Sequence, residues 1–207
     1  MTRQKSMSRA KKVKKGDTLN DWIRSILIAL VLALLTRATV VQAFRIPTTS
    51  MEDSLLRGDF LLANKFIYGA KIPFTDIRLP KIREPKRGDI IVFRHPTEKK
   101  DFIKRCIGVP GDTIEIRNDI VYVNGKPLDE PYKKLDGLPR ASSNFGPIVV
   151  PEGHLFMLGD NRHNSYDSRE WGPLDMKYIK GKAMVIYFSW DSIRHIPRWK
   201  RIGKIIR

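Results

Sequence analysis

The chain has 207 residues, 42% hydrophobic and 29% charged, which excludes a disordered protein and suits one domain plus a short appendage. The chain has 39 lysines and arginines and 22 aspartates and glutamates, so its formal net charge is +17. Such a positive charge favours a negatively charged partner, either nucleic acid or an anionic membrane. The single cysteine, Cys106, excludes an internal disulfide framework and an all-cysteine metal site, and it leaves the redox compartment open.

The N-terminal segment combines a basic block with an apolar stretch. Residues 1–24 carry eight basic side chains and two acidic ones. Residues 22–44 are mainly apolar, and as a helix they would extend roughly 35 Å, enough for a hydrocarbon core of about 30 Å. Arg37 lies near the end of this stretch, where its side chain can reach the nearer interface. The excess of positive charge before the stretch places the N-terminus in the cytoplasm.

This pattern predicts a basic cytoplasmic tail at residues 1–21, a transmembrane anchor at 22–44 and an extracytoplasmic domain at 45–207. Two alternatives remain open. The uncharged run 25–36 has the length of the apolar part of a cleaved secretory signal, and Val41-Gln42-Ala43 is a small-x-small cleavage site. Apolar residues on every helix face also fit a buried core helix.

Beyond residue 45, short apolar runs alternate with glycine, proline, asparagine and aspartate, which is typical of strands joined by tight turns. The predicted strands are Phe60–Ala63, Ile90–Phe93, Phe102–Val109, Thr113–Ile116, Ile120–Val123, Leu155–Leu158 and Ala183–Phe188. Turn signals at Asn118-Asp119 and Asn124-Gly125 predict a hairpin within residues 113–130. We therefore expect a mostly β fold of antiparallel sheets, folded or barrel-like, preceded by one transmembrane helix.

Two further segments differ from this pattern. Residues 129–150 are polar and rich in turn residues, so we expect an excursion from the main sheet. The tail from Arg194 to Arg207 mixes six basic residues with five apolar ones. It fits a segment lying on an anionic bilayer and equally a segment that packs its apolar side on the domain.

A serine and a lysine are candidates for nucleophilic catalysis. Ser50 follows the apolar stretch by six residues, and Lys104 lies inside an apolar strand. Alternation places Lys104 on one strand face and Arg105 on the other, so one of the two cations should face an interior. A desolvated lysine has a lowered pKa and as a neutral amine can accept a proton from a serine hydroxyl. Locally, a turn serine and a lysine that reaches solvent explain both residues as well.

Other catalytic patterns are missing from the sequence. The four histidines are scattered, and there is no His-Glu-x-x-His pair, no glycine-rich phosphate loop and no Gly-x-Ser-x-Gly elbow. The loop over residues 159–172 is dense in hydrogen-bonding side chains, which fits either a site that positions catalytic groups or a structural loop held by ion pairs.

Four stretches taken together resemble bacterial type I signal peptidases, also called leader peptidases. They are PTTSMEDSLLRGDFLLANKFIYG (47–69), RGDIIVF (87–93), DFIKRCIGVPGD (101–112) and GDNRHNSYDSREWG (159–172), which amount to 56 residues in the order and spacing of the family. The basic tail and the apolar stretch before them also agree with the family.

The resemblance implies a serine protease that uses a Ser–Lys dyad. Ser50 matches the nucleophile and Lys104 the general base. The hydroxyl of Thr48 and the backbone N–H of Ser50 match the oxyanion hole, and many relatives have serine in place of this threonine. Ser165 matches the serine that hydrogen-bonds the lysine amine and orients it.

The resemblance also assigns structural roles within the loop at 159–172. Asp160, Asp167 and Arg169 match positions that stabilise the loop, with an ion pair expected between Asp167 and Arg169. His163 and Asp53 stand where many relatives have aspartate and proline. Neither departure touches the implied chemistry, and we expect His163 to be a solvated surface residue.

The implied activity is removal of N-terminal signal peptides from exported preproteins, without a metal or a cofactor. The implied partners are these signal peptides and a lipid bilayer with anionic lipids, and not nucleic acid. The implied location is the bacterial cell (inner) membrane, crossed once, with the catalytic domain outside. Three alternatives are a Ser–Lys peptidase with a dedicated substrate, a non-catalytic binding protein on the same fold, and a nucleic-acid-binding protein supported by charge alone.

Overall fold

The computed structural model describes residues 20–30, 33, 41–69, 79–137 and 143–207. Parts of three predicted features lie outside the described residues. These parts are residues 1–19 of the basic tail, residues 31, 32 and 34–40 of the anchor, and residues 138–142 of the excursion. The chain divides into two compact units, Met1–Arg37 and Ala38–Arg207.

The described part of the first unit is helical over residues 20–30 (α1). Its large apolar side chains are exposed: Trp22, Ile23, Ile26, Leu27, Ile28 and Leu30. Within the described residues, no helix has both the length and the apolar character needed to cross a membrane.

The predicted end of the anchor, at residue 44, is wrong. Val41–Arg45 forms strand β1, which pairs antiparallel with Asp59–Asn64 (β2), so that Ala43 lies opposite Leu62. Apolar residues with a β-branched valine suit a strand as well as a helix, and the neighbouring strand supplies the backbone hydrogen bonds. Residues 41–44 therefore belong to the second unit.

The described residues of the second unit form two antiparallel sheets. The larger has eight strands in the order β1-β2-β11-β3-β4-β9-β10, with β12 paired to β11. Its other strands are Ile90–Arg94 (β3), Asp101–Gly108 (β4), His154–Leu158 (β9), Leu174–Asp175 (β10), Ile179–Asp191 (β11) and Ile196–Pro197 (β12). The smaller, in the order β7-β6-β5-β8, consists of Thr113–Arg117 (β5), Ile120–Val123 (β6), Lys126–Pro127 (β7) and Phe145–Val149 (β8).

All seven predicted strands are present, and the prediction of a mostly β, antiparallel fold is confirmed. Five strands of the described part of the chain were missed: β1, β7, β8, β10 and β12. Strand β8 falls inside the predicted excursion and contains Gly146 and Pro147, which weaken a strand pattern. Proline is tolerated there because β8 is an edge strand that pairs only with β5 among the described strands.

The two predicted turn signals lie where the smaller sheet reverses. Asn118 and Asp119 have φ of 48° and 63° and connect β5 to β6 as a two-residue turn, with Arg117 opposite Ile120. Asn124 and Gly125 likewise have positive φ between β6 and β7. Two-residue hairpins favour this left-handed conformation, which asparagine and glycine adopt at low cost.

In the main core, side chains from both ends of the second unit pack against the central strands of the larger sheet. Met51 and Leu55, in the turn after Ser50, are fully buried with residues from β2, β3, β4 and β11. Ile206 at the end of the chain is part of the same cluster. The turn that carries Ser50 is thus fixed to the core by its own apolar side chains.

The C-terminal tail packs on the domain, as one of the two interpretations of its sequence predicts. The Arg201 guanidinium pairs with the buried Asp59 carboxylate at 2.6 Å, and Ile206 enters the core. The remaining apolar side chains, including Trp199 and Ile205, stay exposed beside the basic ones. Packing of the tail therefore leaves an apolar and basic surface available.

Shortening Ile206 to alanine is expected to lower the free energy of unfolding by about 2–4 kcal/mol, because it opens a cavity in the main core. Ile205→Ala is the matched control, since Ile205 is 64% exposed whereas Ile206 is 7% exposed. The control should change the free energy by less than about 0.5 kcal/mol. Urea unfolding of both variants measures the difference, and equal effects would contradict the placement of Ile206 in the core.

Candidate active site

Ser50 lies in a tight turn between β1 and β2. Its backbone carbonyl accepts a hydrogen bond from the Asn161 N–H at 3.1 Å, and the Leu55 N–H donates to the Met51 carbonyl at 2.7 Å within the turn. Buried Met51 and Leu55 lie directly after the serine. The side chain of Ser50 is therefore presented by a backbone that is anchored on two sides.

Lys104 extends from β4 to this serine. Its Nζ donates a hydrogen bond to Ser50 Oγ at 2.7 Å, and both residues are buried, with Lys104 only 4% exposed. The two side chains line a cavity of about 730 Å³, together with Phe44, Phe102 and Tyr166 among others. The two residues that the resemblance assigns to a dyad are 54 positions apart in sequence and in direct contact in the structure.

Burial lowers the pKa of Lys104 to about 8, although the Asp167 carboxylate has an opposing effect. At neutral pH a fraction of about one tenth of such an amine is unprotonated, against less than a thousandth for a free lysine. A neutral amine within hydrogen-bond distance of a hydroxyl can act as a general base.

The resemblance also assigns Thr48 and Ser165 to the site, and these two residues differ in their contacts. Thr48 Oγ1 lies 3.4 Å from Ser50 Oγ at the open side of the turn. Ser165 Oγ is buried and makes no hydrogen bond to any described residue. The hydrogen bond from Ser165 to Lys104 that the resemblance implies is therefore not formed in this structure, and the orienting role of Ser165 stays a prediction.

Both cations of β4 are buried, whereas the alternation pattern placed only one of them in an interior. Arg105 forms a bidentate pair with Asp160, with distances of 2.8 and 2.7 Å, and both side chains are almost fully inaccessible. The guanidinium also donates to Ser54 Oγ at 3.0 Å and stacks on the Tyr132 ring at 3.7 Å. The reason is that both faces of β4 are covered, by the Ser50 turn and by the loop at 159–172.

The predicted ion pair between Asp167 and Arg169 is present and buried. Arg169 Nε and Nη2 donate to the two carboxylate oxygens at 2.8 and 2.9 Å. Asp167 also accepts from the Gly159 N–H at 3.0 Å and caps the short helix Ser168–Trp171. These contacts connect Gly159, at the start of the loop, to the ion pair and the short helix at the end of the loop.

A further buried ion pair, between Arg162 and Glu130, was not predicted from the sequence. Arg162 Nη1 donates to Glu130 Oε2 at 2.9 Å, and both side chains are about 2% exposed. The Lys134 N–H donates to the Asp160 carbonyl, and the Arg162 N–H donates to the Lys134 carbonyl. The polar segment 129–137 thus packs on the candidate catalytic loop, and its polarity gave no signal for this contact.

His163 is buried, and the expectation that it is a solvated surface residue is wrong. Its Nε2 lies 3.1 Å from Asp119 Oδ2 in the turn between β5 and β6. Burial alone would raise the pKa of Asp119, but the hydrogen bond from His163 holds the pKa below its ordinary value. The turn places this carboxylate over the loop, a long-range contact that the local sequence does not indicate.

Within the described residues, no three histidine, cysteine, aspartate or glutamate side chains are grouped closely enough to hold a metal ion. Cys106 is fully buried in β4, and burial raises the pKa of its thiol to about 12.

The family described as "Signal peptidase, peptidase S26" matches residues 19–190. The chain belongs to this family. Signal peptidase I of Bacillus licheniformis is 36% identical over 195 residues, 91% of this chain and 98% of that protein. Signal peptidase I P of Bacillus subtilis subsp. natto is 38% identical over 192 residues, 89% of this chain and 97% of that protein. A signal peptidase I from Enterococcus faecalis V583, known from a crystal structure, is 35% identical in sequence. The match covers 49% of this chain and 98% of that chain, with a TM-score of 0.42. The chain is accordingly a serine endopeptidase.

Gly159→Ala is expected to abolish peptidase activity, because a Cβ at this position would lie 2.2 Å from Ser165 Oγ and 2.6 Å from the Ser50 carbonyl oxygen. The turn and the loop would have to separate. Gly181→Ala is a matched control, since its Cβ would meet the Asn64 carbonyl oxygen at 2.5 Å outside the cavity lining. Both variants should lose about 1–3 kcal/mol of stability. Activity per folded molecule should fall in Gly159→Ala alone, and an equal fall in both would contradict the prediction.

Proposed function

We propose that the chain removes N-terminal signal peptides from exported preproteins by means of a Ser50–Lys104 dyad. The observation that carries the proposal is the buried 2.7 Å hydrogen bond from Lys104 Nζ to Ser50 Oγ. Family membership supports the substrate class, and the lowered pKa of Lys104 supports its role as general base.

In the proposed reaction the neutral amine of Lys104 takes the proton of Ser50 Oγ, which attacks the scissile carbonyl carbon. The negative charge on the carbonyl oxygen is stabilised by the Ser50 N–H and the Thr48 hydroxyl, a type of donor whose loss typically costs 10²–10³-fold in rate. The lysine ammonium then protonates the leaving amine, and an acyl-enzyme on Ser50 remains. Water, deprotonated by Lys104, hydrolyses this ester and restores the serine.

The substrate binds in the cavity beside Ser50 as an extended strand. Among the described strands, β1 pairs with β2 alone, and residues 101–104 of β4 pair with β3 alone. Both segments contribute side chains to the cavity, including Phe44 and Phe102. Unpaired strand edges provide backbone hydrogen bonds to an added strand, which gives affinity without selecting a particular sequence.

The enzyme acts at the bacterial cell membrane, with its N-terminus in the cytoplasm and the catalytic unit outside. The apolar segment before β1 serves as the anchor, and the exposed apolar side chains of α1 support this role. The tail surface around Trp199 and Ile205, with Lys200 and Lys204, adds contact with anionic lipids. Because topology accounts for much of the positive charge, nucleic acid is not a partner.

Cleavage of a preprotein with an Ala-x-Ala site tests the activity, with purified full-length protein in detergent. Wild type should cut, and Ser50→Ala should not. Ser192→Ala is the control for the substitution type, because Ser192 is exposed in a surface turn, and it should cut at the wild-type rate. Equal cleavage by wild type and Ser50→Ala would overturn the assignment of the nucleophile. If no protein cuts, a peptidase with a dedicated substrate becomes the better interpretation.

Alkaline extraction of cells that express the full chain tests the anchor. The protein should stay in the membrane pellet, whereas a double variant Ile26→Arg, Leu30→Arg should shift to the soluble fraction, because two charges in the apolar segment oppose insertion. Recovery of the wild-type chain in the soluble fraction would overturn the proposed location.

A further inference from the structure

The residue between the two proposed oxyanion-hole residues is tied to the opposite side of the site. Thr49 lies between Thr48 and Ser50, and its Oγ1 accepts a hydrogen bond from Asn164 Nδ2 at 2.8 Å. The two residues are 115 positions apart in sequence. Asn164 ends the short 3₁₀ helix Arg162–Asn164, and both residues line the cavity that holds Ser50 and Lys104.

The same short helix holds the turn at a second point. The Asn161 N–H, at the start of this helix, donates to the Ser50 carbonyl at 3.1 Å. The helix is itself held by the buried pair of Arg162 with Glu130 and by the Arg162 carbonyl, which accepts from Arg169 Nη2 at 2.6 Å. Asn164 therefore donates its hydrogen bond from a helix that is itself fixed by buried contacts.

Thr49 controls the orientation of the Ser50 N–H for a geometric reason. The carbonyl of Thr49 and the N–H of Ser50 belong to one planar peptide unit, so any rotation of the Thr49 backbone turns this N–H with it. Holding the Thr49 side chain limits that rotation. A donor displaced by a fraction of an ångström or by 10–20° stabilises a developing oxyanion less well.

We propose that Asn164 is a positioning residue of the oxyanion hole: through Thr49 Oγ1 it orients the Thr49–Ser50 peptide unit, and with it the Ser50 N–H, toward the scissile carbonyl oxygen. This inference rests on the proposed function. Asn164 acts through Thr49 and takes no proton in the reaction. The pair lies at the exposed side of the turn, so its contribution to stability is small.

Four variants test the proposal in the preprotein cleavage assay: Asn164→Ala, Thr49→Val, the double variant, and Thr49→Ser. Thr49→Val keeps the shape of the side chain and removes the acceptor, whereas Thr49→Ser keeps the hydroxyl. We expect kcat to fall about 10- to 100-fold in each of the first two, less than the 10²–10³-fold typical for loss of a whole donor. The double variant should be no slower than either single variant, because both remove one interaction. Thr49→Ser should retain a kcat within about threefold of wild type.

Three further measurements separate positioning from a structural role. KM should change less than about threefold, the melting temperature should stay within about 2 °C of wild type, and the pH at half-maximal kcat should be unchanged, because Lys104 is not affected. A loss of kcat that follows a loss of folded protein, or independent effects that multiply in the double variant, would overturn the proposal.

The same series separates this inference from the proposed function. If wild type fails to cut, or if Ser50→Ala cuts as well as wild type, the proposed function fails and the inference fails with it. If wild type cuts, Ser50→Ala does not, and Asn164→Ala and Thr49→Val stay within twofold of wild type, only the positioning role is refuted.

Discussion

Replacing Lys104 by methionine is expected to lower kcat by at least about 10³-fold, to the level of Ser50→Ala. Methionine fills the buried site with an unbranched chain and lacks the amine that accepts the serine proton, and members of a catalytic pair lose most of the activity when either is removed. Lys100→Met is the matched control, because Lys100 lines the same cavity from an exposed position. The control should stay within about fivefold of wild type. A Lys104→Met enzyme that retains a tenth of the activity would refute the dyad.

The same residue sets the pH dependence that we expect. With the pKa of Lys104 lowered to about 8, the amine is mostly protonated and inactive below this pH and mostly neutral above it. The rate should therefore rise about tenfold per pH unit below 8 and level off above it. Steady-state cleavage between pH 6 and pH 10 measures the profile, and a rate independent of pH across this range would contradict a lysine base.

Breaking the buried pair of Arg105 and Asp160 is expected to lower the free energy of unfolding by about 3–5 kcal/mol, because either single substitution leaves a buried charge without its partner. The variants are Arg105→Met and Asp160→Asn. Since Asp160 also accepts from Ser54 in the turn after Ser50, both should lose activity together with stability. Urea unfolding followed by fluorescence, with activity assayed at low urea, measures both quantities.

An exposed ion pair that also involves β4 provides the control for this experiment. Arg94 and Asp101 connect β3 and β4 at 3.4 Å, with the arginine side chain 47% exposed. Arg94→Met should change the free energy of unfolding by less than about 1 kcal/mol and leave activity intact. Equal losses in Arg94→Met and Arg105→Met would show that the buried pair does not connect the turn to the loop as described.

Short-range patterns were sufficient for much of the second unit. The seven predicted strands were found because apolar alternation and β-branched residues favour a half-buried extended chain wherever they occur. The hairpins at Asn118-Asp119 and Asn124-Gly125 were predictable because their left-handed φ depends only on the residues in the turn. Ser50 and Lys104 were identified through motifs that are short and contiguous in sequence.

The contacts that build the site depended on tertiary structure. Whether Val41–Arg45 continues a helix or forms β1 is decided by the edge of β2, which no local pattern contains. The burial of both Lys104 and Arg105 requires a cover on each face of β4, and these covers come from segments about 50 residues away along the chain. Asn164 reaches Thr49 across 115 residues. A local sequence reports which conformation a segment prefers, whereas the partner that satisfies a buried charge or hydroxyl is chosen only when the chain folds back on itself.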